Sequence, residues 1–164
     1  MRIRFPRGFI RAADHFRSQL SFVKDRDIKD NLAYAFIQTD VFQWLMNRTD
    51  LYGTAKEMTI KSGIALLGAI CETMAVIASR GKIGRKHGFC ERCTRMVDAN
   101  FITQGVCDEL HWLWKARAAI HIYELEQKEY RCYSIADYNR AVKVTKSLRD
   151  ELAVYLRRPK GVGA

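Results

Sequence analysis

The chain has 164 residues, which favours a single domain, and 48% of them are hydrophobic, enough for a packed core. Its formal net charge of +10 favours polyanionic partners such as RNA, DNA or anionic lipid, with ordinary solubilising charge as the other reading. The start, MRIRFPRGFIRAADHF, lacks the apolar core of a secretory signal, and the five cysteines are odd in number, so the thiols are expected to be reduced in a cytoplasmic protein.

The two prolines, Pro6 and Pro159, lie near the ends and leave the chain between them open to long helices. Residues 8 to 23 suit a short helix with Ile10, Ala13, Phe16 and Leu20 on one side. From Asp27 to about Asn47, Tyr34, Ile37, Val41, Trp44 and Leu45 recur at three- and four-residue steps, with Asp40, Gln43 and Asn47 on the other side. Gly53 breaks the run and Thr54 is a plausible N-cap for the next helix. Residues 55 to 80 are the most apolar. Gly63, Leu66, Leu67, Ile70, Met74 and Ile77 share a face, opposite a narrow strip of Lys61, Gly68, Glu72 and Ser79. Such a helix belongs in the middle of a bundle, and its apolar window is read as buried rather than membrane-spanning.

RGKIGRKHG is a basic loop. A short helix is expected over residues 89 to 98, then a bend, then a helix from about Gly105 to Lys128. Ser134 with Asp137 three residues on resembles a capping box. Tyr138, Ala141, Val142, Thr145, Leu148, Leu152 and Tyr155 then form a stripe to about Leu156. No stretch alternates with period two, so the chain reads as an all-α, up-and-down bundle of four or five main helices.

WLWKARAAIHIYE, residues 112 to 124, raises the chemical question. On a helical wheel Arg117, His121 and Glu124 fall on the same face as Val106, Leu110, Leu113 and Trp114. An unpaired buried charge is expensive, so this face either opens onto a cleft or finds partners elsewhere. One account is a structural Arg–carboxylate bridge beside a core histidine. The other is a phosphate site, in which a guanidinium clamps the phosphate and an imidazole moves protons.

VDANFITQGVCDELHWLWKARAAIHIYELEQKEY, followed by SIADYNRAVKVTKSLRDEL, resembles the signature half of a HEPN domain (higher eukaryotes and prokaryotes nucleotide-binding). The resemblance covers about residues 27 to 157. Two positions depart from the usual motif: three residues separate Arg117 from His121 where four to six are usual, and Ala118 stands where Asn is usual. The resemblance implies an RNA-binding protein, a metal-independent endoribonuclease of a prokaryotic toxin–antitoxin or phage-defence system. It further implies a homodimer whose Arg and His helices meet across the dimer axis, with an antitoxin as a possible partner. In that setting His121 is the acid/base and Arg117 the phosphate clamp. Glu72 matches a supporting acidic position, and Glu124 is placed to orient the imidazole. Residues 1–26 then form a basic amphipathic lead segment, 27–157 the HEPN-like bundle and 158–164 a flexible tail. No integral membrane segment is expected, and peripheral membrane binding through residues 1 to 20 is a weaker alternative.

Lys82, Arg85 and Lys86 of the basic loop, with Lys115, are candidate RNA-backbone contacts, set against an ordinary solvated loop. Cys90, Cys93, Cys107 and His111 spell C-x2-C-x13-C-x3-H, an acceptable zinc set; the other reading is cysteines packed as small hydrophobes. No cofactor is otherwise expected. The alternative function is a non-catalytic helical module for dimerisation or complex assembly, zinc-stapled if the set binds metal. Glycine-rich phosphate loops, nucleophile elbows and HExxH are absent from the sequence.

Overall fold

A computed structural model describes residues 10–84, 86–118 and 132–157. Among them are six helices and no strand: α1 (Ala13–Gln19), α2 (Arg26–Arg48), α3 (Gly53–Ala78), α4 (Phe89–Asp98), α5 (Gln104–Ala118) and α6 (Ile135–Arg157). The fold is all-α, and α3 is its hub, packing against α2, α4, α5 and α6. By length and composition α3 would also reach across a membrane, and 56% of its most apolar window is buried in the bundle.

Local chemistry sets the helix ends. The Asp25 side chain accepts from Ile28 N at 3.1 Å and starts α2. The expected box opens α6: Asp137 Oδ2 accepts from Ser134 N at 3.0 Å, and Ser134 Oγ accepts from Asp137 N at 3.2 Å. At α3 the sequence expectation fails. Thr54 does not cap; Tyr52 holds the cap position without a side-chain bond, and Gly53, at φ +60°, makes the entry turn. The other end of α3 is closed by a cation. Arg92 of α4 is 5% exposed and donates through Nη1 to Ser79 Oγ at 2.9 Å and through Nη2 to the Gly84 carbonyl at 3.2 Å. A guanidinium here complements the negative end of the helix dipole and anchors the base of the basic loop.

The inward face of α2 also differs from the expected stripe. Leu32, Ala33, Phe36, Thr39, Asp40 and Met46 are buried, while Tyr34 is 52% exposed. The rotation follows from Asp40, which period counting puts on the polar side. Its carboxylate is 3% exposed and takes three bonds from Arg11, from the backbone N (3.0 Å), Nε (3.0 Å) and Nη2 (2.5 Å). A buried carboxylate supplied in this way is tolerated inside. The expected short helix at the start is confined to Ala13–Gln19, yet Phe16, Leu20 and Val23 all enter the core, and Phe16 stacks on Phe36 at 5.3 Å. Arg149 of α6 donates to Gln19 Oε1 and ties α1 to the last helix.

α6 crosses α3 closely because Gly63 has no side chain. A Cβ there would lie 2.5 Å from Tyr138 Cε2. The Tyr138 hydroxyl donates to the Thr39 carbonyl at 3.0 Å, joining α6 to α2 behind α3. Burial, then the nearby Asp40 charge, raise the Tyr138 pKa above the usual phenol value.

Candidate functional site

The narrow polar strip of α3 is not a solvated face. Lys61, Gly68 and Ser79 are buried, and the strip is where cations from other helices arrive: Arg92 at Ser79, and Arg117 at Gly68 and Glu72. Arg117, in the last turn of α5, lays its aliphatic stem across Gly68, where a Cβ would meet Arg117 Cδ at 2.8 Å. The guanidinium then donates through Nη1 to Glu72 Oε2 at 2.7 Å and sits 4.6 Å over the Trp114 ring. The two side chains are 29% and 40% exposed, so the pair is half-buried and open to water rather than sealed. Arg117 and Glu72 are thus brought together as an Arg–carboxylate bridge, the pairing the structural account names, with the guanidinium still reached by water. His121 and Glu124 lie outside the described residues, and so does Arg85.

Phe89 stacks on Trp114 at 4.8 Å, and His111 Nε2 lies 3.1 Å from the Cys90 carbonyl. These contacts set the start of α4, and the loop end that carries Lys86 and His87, against the second half of α5. Lys115 projects there, exposed, and its charge acts on the Cys90 thiol. His87 Nδ1 is 2.7 Å from Glu91 Oε1, and this contact, with Arg95, lowers the Glu91 pKa. Lys82 is engaged elsewhere. It donates to the Tyr155 hydroxyl at 2.6 Å and lies over the Phe101 and Tyr155 rings at 5.1 and 4.8 Å.

The cysteine set gathers at the α4–α5 seam as packed side chains. Among the described residues no three His, Cys, Asp or Glu side chains converge to hold an ion. The seam shows why. Cys93 and Cys107 are turned into the core, where burial raises both pKa values, and burial also raises that of half-buried Cys90. His111 Nε2 is occupied by its contact with the Cys90 carbonyl at 3.1 Å. Cys107 Sγ lies 3.6 Å from the same nitrogen. The spacing that suggested zinc is realised as packing.

Gly68 and the Trp114 stack are functional candidates that the sequence reading did not assign. The signal for Gly68 was its place in the polar strip, one turn before Glu72 on the same face. Arg11 was missed because its partner Asp40 was read as solvent-facing. Comparisons with protein-family models, curated proteins and solved structures gave no match.

Proposed function

We propose that this chain is a HEPN-type, up-and-down helical bundle that binds RNA and cleaves it without a metal. It acts as a cytoplasmic homodimer in a prokaryotic toxin–antitoxin or phage-defence setting, with a small antitoxin as its regulator. The observation that carries the reading is the Arg117–Glu72 pair. A guanidinium lies on an aromatic ring, is aimed by one carboxylate at 2.7 Å and is open to solvent, so a phosphate can compete for it. His121 follows one turn later in the sequence. In the reaction the imidazole takes the proton of a ribose 2′-hydroxyl and that oxygen bonds to the adjacent phosphorus. The 5′-oxygen then leaves with the proton handed on by the imidazolium, giving a 2′,3′-cyclic phosphate and a 5′-hydroxyl end. Arg117 holds the charge that gathers on the phosphoryl oxygens.

The test is incubation of RNA with the native chain in chelator, beside His121→Ala, Arg117→Ala and Arg117→Lys. Cleavage by the native chain, lost in both alanine variants with folding intact, supports the reading. Lysine keeps the charge but not the fork, so partial recovery is expected. Equal inactivity of all four refutes cleavage and favours the second reading, a non-catalytic interaction module. That reading has its own observation, an exposed apolar groove of about 510 Å³ between α2 and α3.

A further inference from the structure

A second guanidinium is seated on α5 as Arg117 is, over one tryptophan and against one carboxylate. Arg140 of α6 lies 4.0 Å over the Trp112 ring. It donates to Glu109 twice, through Nε to Oε2 at 2.8 Å and through Nη2 to Oε1 at 3.0 Å. The paired bonds and the ring hold the group in one place. Its Nη1 makes no hydrogen bond among the described residues. Arg140 lines a groove of about 310 Å³ between α5 and α6, together with Val106, Glu109, Lys143, Val144 and Ser147.

In this lining, donors outnumber acceptors. Residues 140, 143 and 147 fall within about 60° of one another around α6, so Arg140, Lys143 and Ser147 share one wall of the groove. Glu109 stands opposite, and both its oxygens are turned to Arg140. Those bonds, with the charges of Arg140 and Lys143, lower the Glu109 pKa. Asp137, whose charge also acts on Arg140, is turned to the Ser134 amide and hydroxyl. Lys143 and the Ser147 hydroxyl have no partner among the described residues. Val106 and Val144 are buried and give the groove an apolar floor. One cation is therefore matched and one is left over, beside an unused guanidinium amino group and a hydroxyl. A phosphodiester, with one negative charge and two acceptor oxygens, answers that set.

We infer that the α5–α6 groove is a second phosphodiester subsite, in which Arg140, Lys143 and Ser147 hold the backbone of an RNA strand whose cleaved bond lies at Arg117. The inference rests on the RNA-cleaving reading above and adds the path of the strand. Positions 109 and 117 lie about 12 Å apart along the α5 axis. On the outer side of α5, exposed Lys115 falls between Trp114 and Trp112 around the helix. The strand runs across that side from one stacked guanidinium to the other. Contacts of this kind position the strand without reading its bases.

The test is fluorescence anisotropy of a labelled 2′-O-methyl RNA dodecamer, whose blocked 2′-oxygens prevent cleavage, titrated at several salt concentrations. Lys143→Ala should weaken binding at least threefold and lower the salt slope by about 0.7, the value for one phosphate contact on a single strand. Lys24→Ala, the same loss of charge at the exposed junction between α1 and α2, should leave both near native. Glu109→Gln should tighten binding about twofold, because its amide oxygen still accepts from Arg140 while the opposing charge is gone; a purely structural bridge predicts no gain. Equal effects of Lys143→Ala and Lys24→Ala, or no gain in Glu109→Gln, overturn the inference. A groove that broadens the phosphorus resonance of inorganic phosphate while the dodecamer ignores Lys143 is a free-ion site, which overturns it as well. Arg117-dependent cleavage in a chain whose RNA binding ignores Lys143 would remove the subsite and spare the proposed function. Lys143-dependent binding by a chain that never cleaves would do the reverse.

Discussion

Gly63→Ala and Gly68→Ala add the same methyl group to the same helix against two different neighbours. Both exchanges gain about 1 kcal/mol of helix propensity. At Gly63 the new Cβ meets Tyr138 Cε2 at 2.5 Å and Cδ2 at 3.0 Å. That ring is buried and tethered by its hydroxyl to the Thr39 carbonyl, so it cannot swing aside without breaking a core hydrogen bond. Overpacking costs about 1–3 kcal/mol and the disturbed bond about 1 more, which leaves a net loss of about 2 kcal/mol after the propensity gain. In a chain of this size Tm should fall by roughly 4–8 °C. At Gly68 the neighbour is the stem of Arg117, with Cδ at 2.8 Å and Cβ at 3.3 Å. The stem ends in a water-accessible guanidinium, and a pair this exposed contributes at most about 1 kcal/mol. Gain and loss nearly cancel, so Tm should stay within about 3 °C of native. Displacing the guanidinium should still weaken RNA binding by at least about fivefold, the equivalent of about 1 kcal/mol. Thermal unfolding by circular dichroism and titration of a fluorescent RNA measure both. Equal loss of Tm in the two variants would show Arg117 to be a jammed structural strut. A neutral Gly63→Ala would refute the tight α3–α6 crossing.

Asp40→Ala removes the acceptor of three Arg11 bonds in a buried setting and should cost about 2–3 kcal/mol, with Asp40→Asn costing less, by chemical denaturation. The cost stays below that of a sealed pair because Arg11 can turn to water; an Asp40→Ala variant as stable as the native chain contradicts the assignment. Alkali should destabilise the fold. Burial pushes the Cys71 thiol up to about 12 and raises Cys90, Cys93 and Cys107, so the native state keeps protons that the unfolded state sheds above about pH 8.5. This stability is fully present below that pH and is lost as pH climbs toward the folded values. A denaturation midpoint that stays level from about pH 8 to 10.5, in reductant, would refute it.

Fold class was legible because long helices write their period plainly. The limits of α2 and α4, the capping box at Ser134 and the central place of α3 follow from apolar spacing and cap chemistry. Period counting failed where one ion pair outweighed it: Asp40 turned the inner face of α2, because a partner 29 residues away in sequence supplies what water otherwise would. The Arg117 face was legible as a problem, and Glu72 as a possible partner. The crossing at Gly68 was not, because it depends on the angle between two helices. The cysteine spacing left zinc and packing both open for the same reason: sequence spacing fixes which residues share a turn but not which way that turn faces.

The tie between Arg149 and Gln19, and the seat of Tyr138 over Gly63, have a consequence for biosynthesis. α1 and α3 leave the ribosome before α6, the helix that closes over them. Between the end of α3 and the start of α6, residues 79 to 134 must still be translated, roughly 3 to 11 s at about 5–20 residues per second. For that interval the most apolar helix of the chain waits without its principal cover, open to non-native contacts.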